Sequence, residues 1–359
     1  MSSVSLSVQL DTQGSSSVSS LPIEKDQLAL RIAELAKEHG LRIDSDMTEA
    51  KWGLRYVKDN HPEEEKIQEK ALKWIQRFEI ITRKEVFAKY SAANFGRFIG
   101  YCHPKGELKL VKAIGVFVTW LFLYDDKIEG KTDEVAALHE RTLCILRGEE
   151  PVEQDIPLTK GLSYIVKRIY KSAPSNLWRE RFFSENASYC RSTLEEVKNR
   201  QAKRVPTLEE YLKERPEFSG TKVMHVLIEM VERMTLPDEI FKSEYIRRFM
   251  LLAANAVNWE NDFLSSEREF LQGDVHNLII VLKHKNGYSL DEAFQEAHEM
   301  FDENMRQLSQ LVAEAPNHSE DVQRFVHCVV QWLAGHHFWA KESKRYESIF
   351  KEQKKDLPV

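Results

Sequence analysis

Residues 113–130 read AIGVFVTWLFLYDDKIEG. The first twelve, Ala113 to Tyr124, are almost wholly apolar, yet they fall short of the roughly 20 residues a helix needs to span a bilayer. They read as a helix buried on all sides. The helix ends in Asp125, Asp126 and Glu129 immediately before Gly130. Asp125 and Glu129 stand four apart and share one face. Three carboxylates at the negative end of the helix dipole repel one another and cost stability unless a cation compensates, so the cluster suits a hard metal ion.

Working outward, the same helical spacing recurs along the chain. Leu28, Ile32 and Leu35 step by three and four before Gly40, and helices are expected over 66–78, 108–129, 132–146, 161–171, 177–200, 207–215, 221–234, 239–269, 276–284, 290–313 and 320–346. Thr207 with Glu210, and Ser289 with Glu292, have the spacing of capping boxes. No fixed-period repeat suggests a solenoid. The expectation is an all-α helical bundle around a central cavity, one domain over residues 23–350, with a disordered Ser-rich tail at 1–22 and a flexible C-terminus at 351–359.

Composition narrows the function classes. Only 14 Gly and 11 Pro occur in 359 residues, which leaves little room for turn-rich or low-complexity architecture. A net charge of −6 argues against a nucleic-acid-coating surface. The N-terminal 20 residues hold nine serines and no basic residue, unlike a secretory signal. Cys102, Cys144, Cys190 and Cys328 are widely spaced, suggesting neither a disulfide framework nor a zinc site and fitting a reducing cytoplasm.

A second polar constellation lies at Asn261, Ser265 and Glu269. Successive four-residue steps drift by only about 40°, so an amide, a hydroxyl and a carboxylate share one helical face. That oxygen set fits Mg²⁺, whose remaining positions are commonly filled by water and substrate phosphate. Adjacent His336 and His337 should point to different helix faces and read as structural. Asp302 and Glu303 read as solvated, and the basic run Lys198 to Arg204 as an exposed face partly within reach of an anionic ligand.

Asp125-Asp126-x-x-Glu129 followed by the Asn261, Ser265, Glu269 triad resembles the paired metal motifs of class I terpene synthases of the microbial type. The likeness extends to His103-Pro104, to Arg215 placed 46 residues before Asn261, and to Phe218-Ser219-Gly220. It continues through Gly273 to Asn277, and through Trp339, Ser343, Arg345 and Tyr346. Phe218 and the terminal Glu129 depart from the commoner pattern. The resemblance implies Mg²⁺-dependent ionisation and cyclisation of a linear isoprenyl diphosphate, with three Mg²⁺ and with Mn²⁺ able to substitute. It implies that Asp125 and the triad bind metal, with Asp126 and Glu129 participating less directly. Arg215, Arg268, Arg345 and Tyr346 would hold the diphosphate. The carbonyl near Ser219 would orient the cation, and Phe122 and Trp339 would line its cavity, with Phe95, Phe117 and Trp332 as further candidates. A C15 substrate is favoured over C20. The expected protein is a monomer or homodimer with no nucleic-acid partner and no transmembrane segment.

Two other readings explain less. A chain-elongating isoprenyl diphosphate synthase would need a second aspartate-rich motif, yet Asp125-Asp126 is the only Asp-Asp pair. A helical interaction scaffold accounts for the helices and for none of the spaced ligands.

Overall fold

The structure is a computed structural model that describes residues 21–38, 51–128 and 132–346. The Ser-rich segment up to Ser20, Gly40, Glu129 and everything beyond Tyr346 lie outside the described residues. Fifteen α-helices are numbered here: α1 Leu21–Glu38, α2 Glu64–Arg77, α3 Lys84–Ala93, α4 Phe95–Cys102, α5 Leu108–Lys127, α6 Thr132–Leu146, α7 Pro157–Lys171 and α8 Asn176–Gln201. The rest are α9 Leu208–Phe218, α10 Thr221–Val231, α11 Asp238–Phe241, α12 Glu244–Gln272, α13 Leu278–His284, α14 Leu290–Glu314 and α15 Glu320–Glu342. No strand occurs among the described residues, and no helix there is long and apolar enough to cross a membrane.

The apolar run that opened the sequence reading becomes α5, buried from Ile114 to Leu121 and again at Leu123 and Tyr124. It packs on α2, α4 and α7, while α12 packs on α1, α13, α14 and α15. Both capping boxes form: Glu210 N donates to Thr207 Oγ1 at 3.2 Å, and Glu292 N to Ser289 Oγ at 3.2 Å. Leu21 and Pro22, expected in the tail, already belong to α1.

The helix expected over 239–269 is broken. Ser243 has extended backbone and caps a new helix, α12, which runs on to Gln272 and stops where Gly273 adopts φ +76°. The last helix also ends early, at Glu342. Ser343 is extended and its hydroxyl donates to Ala93 O at 3.1 Å, after which a 3₁₀ turn at Lys344–Tyr346 carries Arg345 and Tyr346 back over the bundle. Two helices were not foreseen, α3 and α4. They are short, and left-handed Asn94 (φ 49°) joins them directly, its side chain capping Arg97 N at 3.1 Å. α4 then lies against α15 so closely that a Cβ on Gly335 would sit 2.6 Å from Cys102 N.

Candidate active site

One large cavity of about 1050 Å³ opens at one end of the bundle and collects side chains from many helices. Its mouth is polar. α5 contributes Asp125 and Asp126, α12 contributes Asn261, Arg268 and Glu269, α9 ends there with Arg215, and the 3₁₀ turn supplies Arg345 and Tyr346. Its depth is apolar, walled by Phe95, Phe98, Val118, Leu121, Phe122 and Trp332. The two acidic motifs, 136 positions apart between Asp125 and Asn261, thus meet at one opening.

The carboxylates at this mouth are crowded and partly desolvated. Burial pushes the Asp125 carboxyl above its ordinary range, and Asp126 beside it adds to the push, against the opposing charge of Arg345. Burial likewise raises Glu269, with Asp274 and Asp262 adding to it and Arg268 opposing. Tyr189 donates to Asp125 Oδ1 at 3.3 Å, and Tyr90 holds Asp126. Neither tyrosine had been singled out, since nothing in their sequence neighbourhood marks them.

On α12, Asn261 Oδ1 accepts from Arg215 at 3.2 Å, and its amide donates to the Tyr346 hydroxyl at 2.8 Å. Glu269 is held by Asn277 Nδ2 at 2.9 Å and by Arg268 at 3.4 Å. Ser265 lies between these two but is fully buried, its hydroxyl donating to Asn261 O at 2.6 Å, and it does not reach the cavity wall. Ser265, expected in the metal set, is thus turned from the cavity, and the donors that do face it, Asp125, Asn261 and Glu269, are all oxygen. Together with the raised carboxyls this set fits a hard divalent cation such as Mg²⁺.

Arg215 is fixed from behind by Asp262, which accepts from its Nη2 at 2.7 Å and its Nε at 3.1 Å. Asp262 is itself buried and held by Tyr211 and by Leu278 N at 2.8 Å. A charge-assisted two-point grip of this kind aims a guanidinium rather than merely neutralising it. Arg345 packs over Phe122, 4.7 Å from the ring centre, with Asp126 at 3.6 Å, and its Nε is buried without a hydrogen-bond partner among the described residues. That orphaned donor at the cavity edge fits an anionic ligand.

Ser219 lines the cavity where α9 gives way to α10. Gly220 makes the break with φ +71°, and a Cβ there would lie 2.7 Å from Leu121 Cδ2. Thr221 Oγ1 donates to Asn258 Oδ1 at 3.1 Å, and Asn258 Nδ2 donates to Arg215 O at 3.4 Å, so the break is pinned to α12.

Among the aromatic candidates, Phe122, Phe95 and Trp332 line the cavity, but Trp339 and Phe117 do not. Trp339 stands behind the wall, stacked on Phe98 at 4.7 Å with its indole N–H donating to Ala93 O at 2.7 Å. Phe117 packs outward on Phe182 at 5.5 Å. A run of residues on a helix reaching a cavity edge places only every third or fourth side chain on the wall, which spacing from a motif does not resolve.

A further group at the mouth, Glu196, Asp274 and His276, brings three potential donor atoms within 4.8 Å of one another. Burial lifts Glu196 to about 8 against the pull of Arg200, which pairs with it and stands 3.8 Å from Asp274. Within the basic run, Arg200 therefore faces the site rather than solvent. Asp274 and His276 belong to the stretch that follows the triad; Glu196 carried no signal of its own. His336 and His337, expected on different faces, share one acceptor: Glu260 takes a hydrogen bond from each Nδ1.

The chain is similar to known proteins. Residues 116–307 match the model of the terpene synthase family 2 C-terminal metal-binding region. The chain is 25% identical over 292 residues to germacrene A synthase of Nostoc punctiforme, covering 79% of this chain and 90% of that one. It is 26% identical over 310 residues to (+)-T-muurolol synthase of Roseiflexus castenholzii, covering 83% and 94%. The crystal structure of a-eudesmol synthase superposes with a TM-score of 0.73 at 20% identity, covering 84% of this chain and 99% of that one, a likeness of fold. With that family match extending over more than half of its length and containing both Asp125-Asp126 and the Asn261 to Glu269 stretch, the chain belongs to the metal-binding terpene synthases of family 2.

Proposed function

We propose that this chain ionises and cyclises farnesyl diphosphate, releasing diphosphate and a C15 terpene. The observation that carries the reading is a single cavity with an acidic, arginine-rimmed mouth and an aromatic interior. The Roseiflexus relative is named as cyclising (2E,6E)-farnesyl diphosphate, which favours the C15 substrate over C20.

Asp125, Asn261 and Glu269, with Ser265 bracing Asn261 through its buried hydroxyl, would hold Mg²⁺, three ions by family likeness and replaceable by Mn²⁺, whose chemistry is to neutralise the leaving diphosphate. Asp126 stands beside them, held by Tyr90 and near Arg345; Glu129 is assigned only the indirect part that the resemblance implies. Arg215, Arg268, Arg345 and the Tyr346 hydroxyl donate to the diphosphate oxygens. The allylic C–O bond then breaks with its electron pair leaving on oxygen, and the donors hold the charge that develops there. The allylic cation is left facing Phe95, Phe122 and Trp332, each ring contributing on the order of 0.5–2 kcal/mol of cation–π stabilisation at the apolar depth of the cavity. The Ser219 carbonyl, freed from the helix direction by the Gly220 break, orients that cation.

The working unit we propose is one domain over residues 23–350, a monomer or homodimer in the cytoplasm, consistent with four free cysteines. The test is incubation of purified protein with Mg²⁺ and geranyl, farnesyl or geranylgeranyl diphosphate, followed by gas chromatography. A cyclic C15 product from farnesyl diphosphate supports the reading; no Mg²⁺-dependent diphosphate release from any of the three sinks it.

A further inference from the structure

The deep end of the cavity holds one group that the ionisation chemistry leaves unused. His336 is 5% exposed, and the surface it does show belongs to the cavity wall, between Trp332 and Phe98. Its Nδ1 lies 2.8 Å from Glu260 Oε2. Glu260 is buried, does not line the cavity, and takes a second hydrogen bond from the Nδ1 of His337 through its other oxygen. A carboxylate accepting from two imidazoles places the ring proton of each on Nδ1. In the neutral ring the lone pair of His336 is then on Nε2, the ring nitrogen turned from Glu260, and that atom makes no hydrogen bond with any described residue. A histidine oriented at one nitrogen by a buried carboxylate and open at the other has the arrangement of a positioned general base. It also stands away from the arginines of the mouth, among apolar and aromatic side chains.

Resting on the cyclase reading above, we infer that His336 is the base that ends the reaction by taking a C–H proton from the final carbocation. The C–H bond next to the cationic carbon breaks, its electron pair becomes the new C=C bond, and the proton passes to Nε2. The imidazolium formed is stabilised by Glu260 across the Nδ1 hydrogen bond, and its proton is lost to water after the alkene leaves. His337, on the far side of the carboxylate, keeps Glu260 in place and is a positioning residue.

The full-length protein is assayed with Mg²⁺ and farnesyl diphosphate, reading the share of each product per diphosphate released. In His336→Gln, which keeps a donor toward Glu260 and removes the basic nitrogen, the proton-transfer step slows by about 10²–10⁴-fold, and the share of the main wild-type alkene falls by at least about fivefold as other exits from the cation take over. Glu260→Gln, which never touches the cavity, produces a shift in the same direction. Added imidazole restores the wild-type alkene to His336→Gly. An unchanged product share in His336→Gln overturns the inference, as does a shift there with a wild-type pattern in Glu260→Gln, which would mark His336 as mere cavity shape. Should Glu260→Gln not fold, failure of imidazole to restore the alkene overturns it. Wild-type protein that releases no diphosphate sinks the cyclase reading itself and this inference with it.

Discussion

At the scale of single residues, the site depends on buried charges that each have a specific partner. Asp262 is the clearest. It is not a proposed metal ligand, but it anchors Arg215 at two points. Asp262→Asn leaves the buried Arg215 guanidinium without its counter-charge, and removing one member of a buried pair costs about 3–5 kcal/mol. The expected outcome is a lowered midpoint in chemical denaturation together with lost diphosphate release. Asn261→Ala or Glu269→Ala behaves differently: turnover is abolished while the helical circular dichroism stays intact, because both side chains meet the cavity and not the packed core. Retained turnover in either would remove the triad from the metal site. Asp125, Asn261 and Glu269 were legible from sequence because helical spacing put Asn261 and Glu269 on one face and the paired motif singled out Asp125; Ser265 shares that spacing yet stays out of the cavity. Tyr90, Tyr189 and Glu196 were not legible, since Tyr90 reaches the mouth from α3 and the other two from α8, and no motif marks either stretch.

At the scale of elements, the decisive feature is the break between α9 and α10. Gly220 holds φ +71° and has Leu121 of α5 against the position of a Cβ. Gly220→Ala therefore combines backbone strain with overpacking, each of order 1–3 kcal/mol. Thermal unfolding should show a lowered Tm, and the soluble fraction that remains should give an altered product mixture, because the Ser219 carbonyl moves with the break. Gly335→Ala tests another element. The contact it would violate is Cys102 backbone nitrogen, which cannot swing aside, so α15 must shift from α4 and carry His336 with it. Helix existence was readable throughout except for α3 and α4, where two short helices meet at Asn94 with no Gly or Pro to punctuate them. The new start at Ser243 and the early stop at Ser343 were missed for a related reason. A serine caps a helix only where the chain turns, and the turn at Ser343 is held by Ala93, which is distant in sequence.

At the scale of the whole molecule, the charge of the cavity mouth is coupled to folding. Glu196 is raised to about 8, so between its ordinary value and that one the folded state holds a proton the unfolded chain has lost, and stability falls as pH rises. Buried His103, His139 and His276 are lowered to about 4 and His225 to about 3, so they act in the opposite sense, raising stability as pH climbs toward 6.5. Above 6.5 the histidine contribution is complete and the loss from Glu196 remains, on the order of 2 kcal/mol by pH 8. The metal-free protein should therefore have its highest Tm near pH 6.5 and lose stability toward pH 8. Glu196→Gln should flatten that decline, and Mg²⁺ should oppose it by offsetting the negative charge that develops at the mouth. A Tm that rises steadily from pH 6.5 to 8 without metal would contradict the assignment.

Sequence alone determined that this chain is helical, that it carries two acidic faces able to bind a hard cation, and which family it resembles, because helical periodicity converts spacing directly into a shared face. The tertiary structure decided which aromatic rings meet the cavity, that Trp339 stands behind its wall while His336 is part of it, and which buried groups hold the arginines in aim. Those outcomes depend on how helices far apart in sequence rotate against one another, and no local pattern encodes that rotation.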